Sequence, residues 1–190
     1  VIAAAQALAA RRHLRALCGN HEEMFLQSFE DIEVLRAFLR YGGRETILSY
    51  PIDTVAWNAA TMEEAQAMLR WAIPEDDLEF FCTFENAIVI GDYLFVHAGI
   101  APGVPLAEQT TGDLRWMREP FLGFDGDHGH MVVHGHTIAE QVQVRRNRIG
   151  IDTGAYLLGK LTALGLEGEA RWLLTASDTE GRISCGLQSL

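Results

Sequence analysis

Seven histidines occur in the chain: His13, His21, His97, His128, His130, His134 and His136. His134 and His136 flank Gly135 directly after the apolar run 131–133. Residues two apart on a strand share a face. The pair therefore predicts two imidazoles that bind one metal, or one that binds while the other supports it. Gly135 admits close backbone approach. The plainer reading of His-Gly-His is a polar strand end. His128 and His130 fall in the Gly/Asp-rich stretch 123–129 and its border, and read as a solvated loop. His97 ends the run Leu94-Phe95-Val96-His97-Ala98-Gly99. At the C-terminal end of a strand it is free to face a site, although a lone histidine there is otherwise a satisfied core residue.

Cys18-Gly19-Asn20-His21-Glu22 has the same form: a short strand, a glycine turn, then polar residues opening a helix. Asn20 offers a carbonyl oxygen to a hard metal, and His21 offers a proton. Glu22 sits where a helix favours negative charge. The plainer reading makes Asn20 an N-cap. Taken together, the strand-end nitrogens and oxygens suit Mn, Fe or Zn. The lack of neighbouring cysteine argues against a structural zinc. Arg118, in Trp116-Met117-Arg118-Glu119-Pro120, has the fork that grips two phosphate oxygens; its plainer role is a surface ion pair. Gly154 to Lys160 imitates a phosphate loop. Leu161 stands where that loop needs a hydroxyl, and a strand follows where it needs a helix.

The elements that carry these residues change character along the chain. A helix is expected over 3–14, which lacks breakers. A second is expected over 22–39, with Phe25, Phe29, Ile32, Leu35 and Leu39 at spacings of three and four, stopped by Gly42-Gly43. A short helix over 46–50 is closed by Pro51. Thr61-Met62-Glu63-Glu64 is a capping-box start for a helix to about Trp71. Pro74 with Glu75, Asp76 and Asp77 opens another. The period then switches to two. Strands are expected at 87–90 and 93–96, joined by the hairpin turn Gly91-Asp92, and at 131–133, 142–145, 149–151, 161–166 and 171–174. Helices dominate to about residue 82 and strands after it, which predicts an α/β protein with an antiparallel or mixed second half. No linker divides the chain, so 1–190 reads as one domain, 22–82 mainly helical and 83–190 mainly β.

Composition narrows the function. The 190 residues are 48% hydrophobic and 22% charged, a globular balance. Fifteen Lys and Arg against 26 Asp and Glu leave a net charge of −11. Nucleic acid and anionic membrane both demand a basic face, so neither is an expected partner. The longest uncharged run, 93–107, is too short and too broken to span a bilayer. Cys18, Cys82 and Cys185 are widely spaced without a CxxC pair. That predicts no disulfide framework, a reducing cytoplasmic compartment, and three small core residues.

Five motifs come in one order: Gly19-Asn20-His21-Glu22; Phe95-Val96-His97-Ala98-Gly99; Trp116-Met117-Arg118; Val133-His134-Gly135-His136-Thr137; and Ile151-Asp152-Thr153-Gly154-Ala155 with Gly159-Lys160-Leu161. This order resembles the later motifs of the calcineurin-like metallophosphoesterases, specifically the bacterial serine/threonine protein phosphatase branch. The segment from Gly42-Gly43 to Ser49-Tyr50 resembles that branch's helical insertion. The resemblance implies a fold of two packed mixed β-sheets flanked by helices. It implies hydrolysis of phosphomonoesters by metal-activated hydroxide. It makes Asn20, His97 and His136 ligands of the second metal, His21 the general acid and Arg118 the phosphate holder. His134 and Asp152 would support the site from behind. The expected cofactors are two divalent metals, Mn first and Fe or Zn as substitutes. The expected substrate is a phosphorylated protein or a small phosphoester.

The family's first two motifs, GDxHG and GDxxDRG, do not occur in the sequence. In the family they carry the first-metal and bridging carboxylates. The resemblance therefore implies a domain whose N-terminal strands are missing, with exposed sheet edges. Two further readings follow: a hydrolase of diadenosine polyphosphates or other phosphodiesters, and an inactive remnant that binds at most one metal. Glu22, where an Asp would suit the first of these, leans toward the phosphatase.

Overall fold

The computed structural model describes all 190 residues, which form two compact units, Val1–Glu85 and Asn86–Leu190. The first is helical: α1 (Ile2–Ala9), α2 (Asn20–Gln27), α3 (Ile32–Phe38), α4 (Arg44–Leu48), α5 (Thr54–Ala59), α6 (Met62–Ala72) and α7 (Glu75–Cys82). The expected long helix over 22–39 is two. Ser28 Oγ donates to Met24 O (2.6 Å) at the end of α2. Asp31 then caps α3 by accepting from the Glu33 and Val34 amides. A side-chain cap supplies what a continuing helix would have supplied to those amides, so the chain restarts without losing its apolar face. Gln66 Nε2 donates to Ser28 O (2.9 Å) and satisfies the break from the side. Met24, Phe25, Leu35, Phe38, Ile47 and Leu69 form the centre of the core.

Gly42-Gly43 kinks the chain instead of stopping it. Non-helical backbone at Tyr41 (φ −102°) and Gly42 (φ +95°) breaks the helical run and turns the chain into α4. Helix α1 ends five residues earlier than expected because it buries nothing: intrinsic propensity alone is too weak to hold a last exposed turn. The strand expected at 15–18 is a single parallel bridge, Leu17 to Glu85. The Thr61/Glu64 capping box and the acidic start after Pro74 stand as expected.

The second unit holds two sheets. β1 (Ala87–Ile90), β2 (Tyr93–Val96), β3 (Met131–His134), β4 (Gln143–Val144) and β5 (Arg148–Gly150) form a five-stranded sheet in the order β1-β2-β3-β5-β4. β2, β3 and β5 are parallel, with antiparallel strands at both edges. The crossover from β2 to β3 contains α8 (Thr111–Trp116). Leu94, Val96, Leu114, Phe121 and Val132 make its core.

β6 (Lys160–Glu167), β7 (Ala170–Thr179) and β8 (Arg182–Ser189) form a separate sheet after the short α9 (Ala155–Leu158). This sheet is purely antiparallel, where the resemblance implied two mixed sheets. Its strands are joined by tight turns at Gly168 (φ +57°) and Gly181 (φ +80°), and a tight turn can only return the chain antiparallel. β8, unexpected from sequence, is exposed along its whole length. Ile183, Cys185 and Leu187 alternate with Arg182, Ser184, Gly186 and Gln188, a period-two signal that the sequence reading passed over. Arg171 Nε of β7 donates to Tyr93 OH of β2 (2.8 Å), and the hydroxyl of Thr153, in the loop after β5, meets that of Thr162 in β6 at 2.8 Å. All three cysteines are free. Cys18 is buried, but Cys82 and Cys185 are exposed and are not core residues. No helix is long and apolar enough to cross a membrane.

Candidate functional site

Three parallel strands end side by side. His97 follows β2, His134 closes β3, and Ile151-Asp152 follows β5. Backbone bonds tie these ends: Gly135 N donates to His97 O (2.9 Å), and Ile151 N to His134 O (2.9 Å). The carboxyl end of a parallel sheet is where side chains of successive loops converge. Here it brings together His97 and His136, whose Nε2 and Nδ1 atoms share a hydrogen bond of 3.2 Å.

His136 reaches His97 because it has left the strand. Its φ is +62°, and Thr137 N donates back to Gly135 O across it (2.7 Å). That is a γ-turn of the rarer, strained hand. Strand alternation thus stops at His134, and the two histidines of the motif do not serve one ligand set. His134 is 3% exposed. Its Nδ1 donates to Gly135 O (3.1 Å), which leaves Nε2 to accept from Arg148 Nη1 (3.3 Å). Burial pushes its pKa down to about 4; the Arg148 charge adds to this, while the Gly135 carbonyl and Asp152 oppose it. His134 is therefore neutral at pH 7 and supports the turn from beneath. Asp152 also acts on backbone: Oδ1 accepts from Gly154 N (3.0 Å), and its carbonyl from Ala139 N.

The loop bearing Arg118 is anchored to the same strand end, since Ala98 N donates to Leu114 O in α8 (2.9 Å). Trp116 presents its ring edge-on to His136 at 6.4 Å. Arg118 is exposed two residues further on. It forms none of the ion pairs of the chain, so its plain reading as a surface salt bridge falls away.

In the helical unit, Gly19 is the N-cap of α2, and its amide donates to Glu22 Oε2 (2.9 Å). Asn20 is not the cap. It is the first helical residue and only 7% exposed. His21 is exposed and lies edge-on to Phe38, with ring centroids 5.9 Å apart.

His128 does not stand in a solvated loop. Its ring lies between Phe121 and Phe124, at 5.3 and 5.0 Å, and its Nε2 is buried without a partner. Burial lowers its pKa; Arg148 adds to this against the pull of Asp127. Asn147 clamps this stretch by donating to Phe124 O and Gly126 O (both 2.8 Å). Arg148 is the supporting residue that sequence reasoning passed over. Only its strand position, opposite Val132, makes it internal.

The donor set fits one metal edge. Two nitrogens about 2.0–2.1 Å from a common ion at near-tetrahedral angles lie about 3.2–3.4 Å apart, which matches His97 and His136. Thr137 Oγ1, next to them, is buried with no hydrogen-bond partner. No group of three or more His, Cys, Asp or Glu side chains is placed to hold an ion. No family model matches the chain, and no curated protein matches it.

Proposed function

We propose that the chain carries the second-metal half of a metal-dependent phosphomonoesterase of the calcineurin-like type, with phosphoserine or phosphothreonine in protein as substrate. The observation that carries this reading is the His97–His136 pair, held at metal-chelating distance where the parallel strands end. The ordered motifs support it, as does the attachment of the Arg118 loop to the exit of β2. In the finer fold reading, the two sheets form the sandwich of that family.

The roles are those the resemblance implies, and donor chemistry is compatible with each. His97 and His136 would hold the ion through Nε2 and Nδ1; Asn20 is a ligand only by the resemblance. A divalent metal bound there supplies positive charge to phosphoryl oxygens and acidifies water. Arg118 pairs with two phosphate oxygens by its fork. His21, exposed at the start of α2, donates a proton to the leaving alkoxide, whose basicity would otherwise resist departure.

The test is Mn binding by calorimetry together with turnover of a phosphothreonine peptide and of a dinucleoside tetraphosphate. Binding that is lost in His97→Ala and His136→Ala, with Mn-dependent turnover of the peptide, is the expected result. Turnover of the dinucleotide alone would move the reading to the phosphodiesterase alternative. Binding without any turnover would leave the one-metal remnant. Absence of Mn binding would end the metal reading.

A further inference from the structure

We infer that Phe38 and the Gly42-Gly43 kink position the His21 imidazole; this rests on the reading of His21 as proton donor. His21 makes none of the hydrogen bonds of the structure. What touches it is Phe38, at 5.9 Å between centroids and 71° between planes. An aromatic edge on an aromatic face is a directional contact. Phe38 is itself 1% exposed, wedged in the helical core, so it is a rigid surface for an exposed ring to rest on.

The two glycines serve this arrangement in different ways. A Cβ on Gly43 would enter the Phe38 ring, meeting Cδ1, Cγ and Cε1 at once. Only glycine there lets that ring lie against the kink. Gly42, at φ +95°, takes a conformation that L side chains rarely adopt. A Cβ built on it would have His21 Cε1 as its nearest neighbour, at 3.9 Å. The kink between α3 and α4 therefore brings the backbone beside the imidazole while Phe38 backs it.

The experiment uses the full chain with Phe38→Leu, which keeps the core apolar, and Gly42→Asn, since Asn tolerates positive φ best among side-chain-bearing residues. The His21 Hε1 resonance is followed by proton–carbon NMR, alongside kcat and KM for the phosphothreonine peptide. In Phe38→Leu the ring-current shift of His21 Hε1 should vanish, and kcat should fall about tenfold with KM unchanged. The same substitution in a His21→Ala background should have no further effect on kcat. Gly42→Asn should move the His21 Hε1 resonance, since its Cβ would stand 3.9 Å from Cε1; an unmoved resonance there would overturn the part given to Gly42. An unmoved His21 resonance in Phe38→Leu would overturn the proposal, as would an equal loss of kcat in the His21→Ala background. Absence of turnover in the unsubstituted chain would instead overturn the functional reading, while the NMR result would still decide whether Phe38 sets the ring.

Discussion

The histidines of the two units are held by opposite means. In the sheet unit, His136 is aimed by its backbone: a γ-turn at φ +62°, a hydrogen bond from Gly135 to the carbonyl of His97, and a buried His134–Arg148 pair beneath. In the helical unit, His21 rests on a phenyl ring beside a glycine kink and makes no hydrogen bond. A backbone-held ligand keeps its place when nearby packing is loosened. A packing-held ring keeps some freedom to swing. In the proposed reading, the first property would suit a metal ligand and the second a proton donor to a departing oxygen.

Phe121→Ala is the severest way to break that comparison. Phe121 is 0% exposed and backs both His128 and His134. Its loss should lower stability by about 3–5 kcal/mol, read from urea unfolding. If His97 and His136 are backbone-held, Mn affinity at temperatures where the variant stays folded should change less than threefold. A loss of affinity as deep as that of His136→Ala would mean that packing, not the turn, holds the pair.

The second test uses pH. His134 resists protonation in the fold until about pH 4, whereas an unfolded histidine takes its proton near 6.5. Between those values the unfolded chain binds more protons, so stability falls as pH drops through that window and is unaffected above it. The full difference is worth about 3 kcal/mol, with about 2 kcal/mol of it gone by pH 5. His134→Gln keeps a hydrogen-bonding side chain but cannot titrate. The gap between its unfolding free energy and that of the unsubstituted chain should therefore narrow from pH 7 to pH 5. A constant gap would remove His134 as a buried neutral support.

Local signals were legible where one short-range rule acts alone. The Thr61/Glu64 box, the Pro74 start and the Gly91-Asp92 hairpin follow from propensity and turn chemistry. So does the switch from helix to strand, within a few residues of the unit boundary at Glu85. Illegible features depend on competition or on distant contacts. The 22–39 periodicity concealed a restart at Asp31, because both helices keep the same buried face. Gly42-Gly43 reads as a stop in any sequence and becomes a kink only because Phe38 fills the space that a side chain would take. The site was legible as residue types at strand ends. The pairing of His97 with His136, rather than His134 with His136, was not, because a strand rule cannot foresee a positive φ one residue past the strand.

That positive φ supports the smallest and most specific prediction. A non-glycine residue at φ +62° carries backbone strain of roughly 1–2 kcal/mol. His136→Gly and His136→Ala both remove the imidazole and should abolish Mn binding alike. They differ in the turn. Glycine relieves the strain, whereas alanine keeps it, and glycine's greater unfolded freedom offsets part of the gain. The glycine variant should therefore unfold at higher urea than the alanine variant, by about 1 kcal/mol. If alanine were the more stable of the two, His136 would not be strained, and the sheet unit would not hold its ligand by backbone. The contrast with His21 would then reduce to two rings held by packing. If glycine is the more stable, the strain belongs to the position rather than to the imidazole: the turn is stored in the Gly135–Thr137 hydrogen bond and the bond to His97, and the histidine is its passenger.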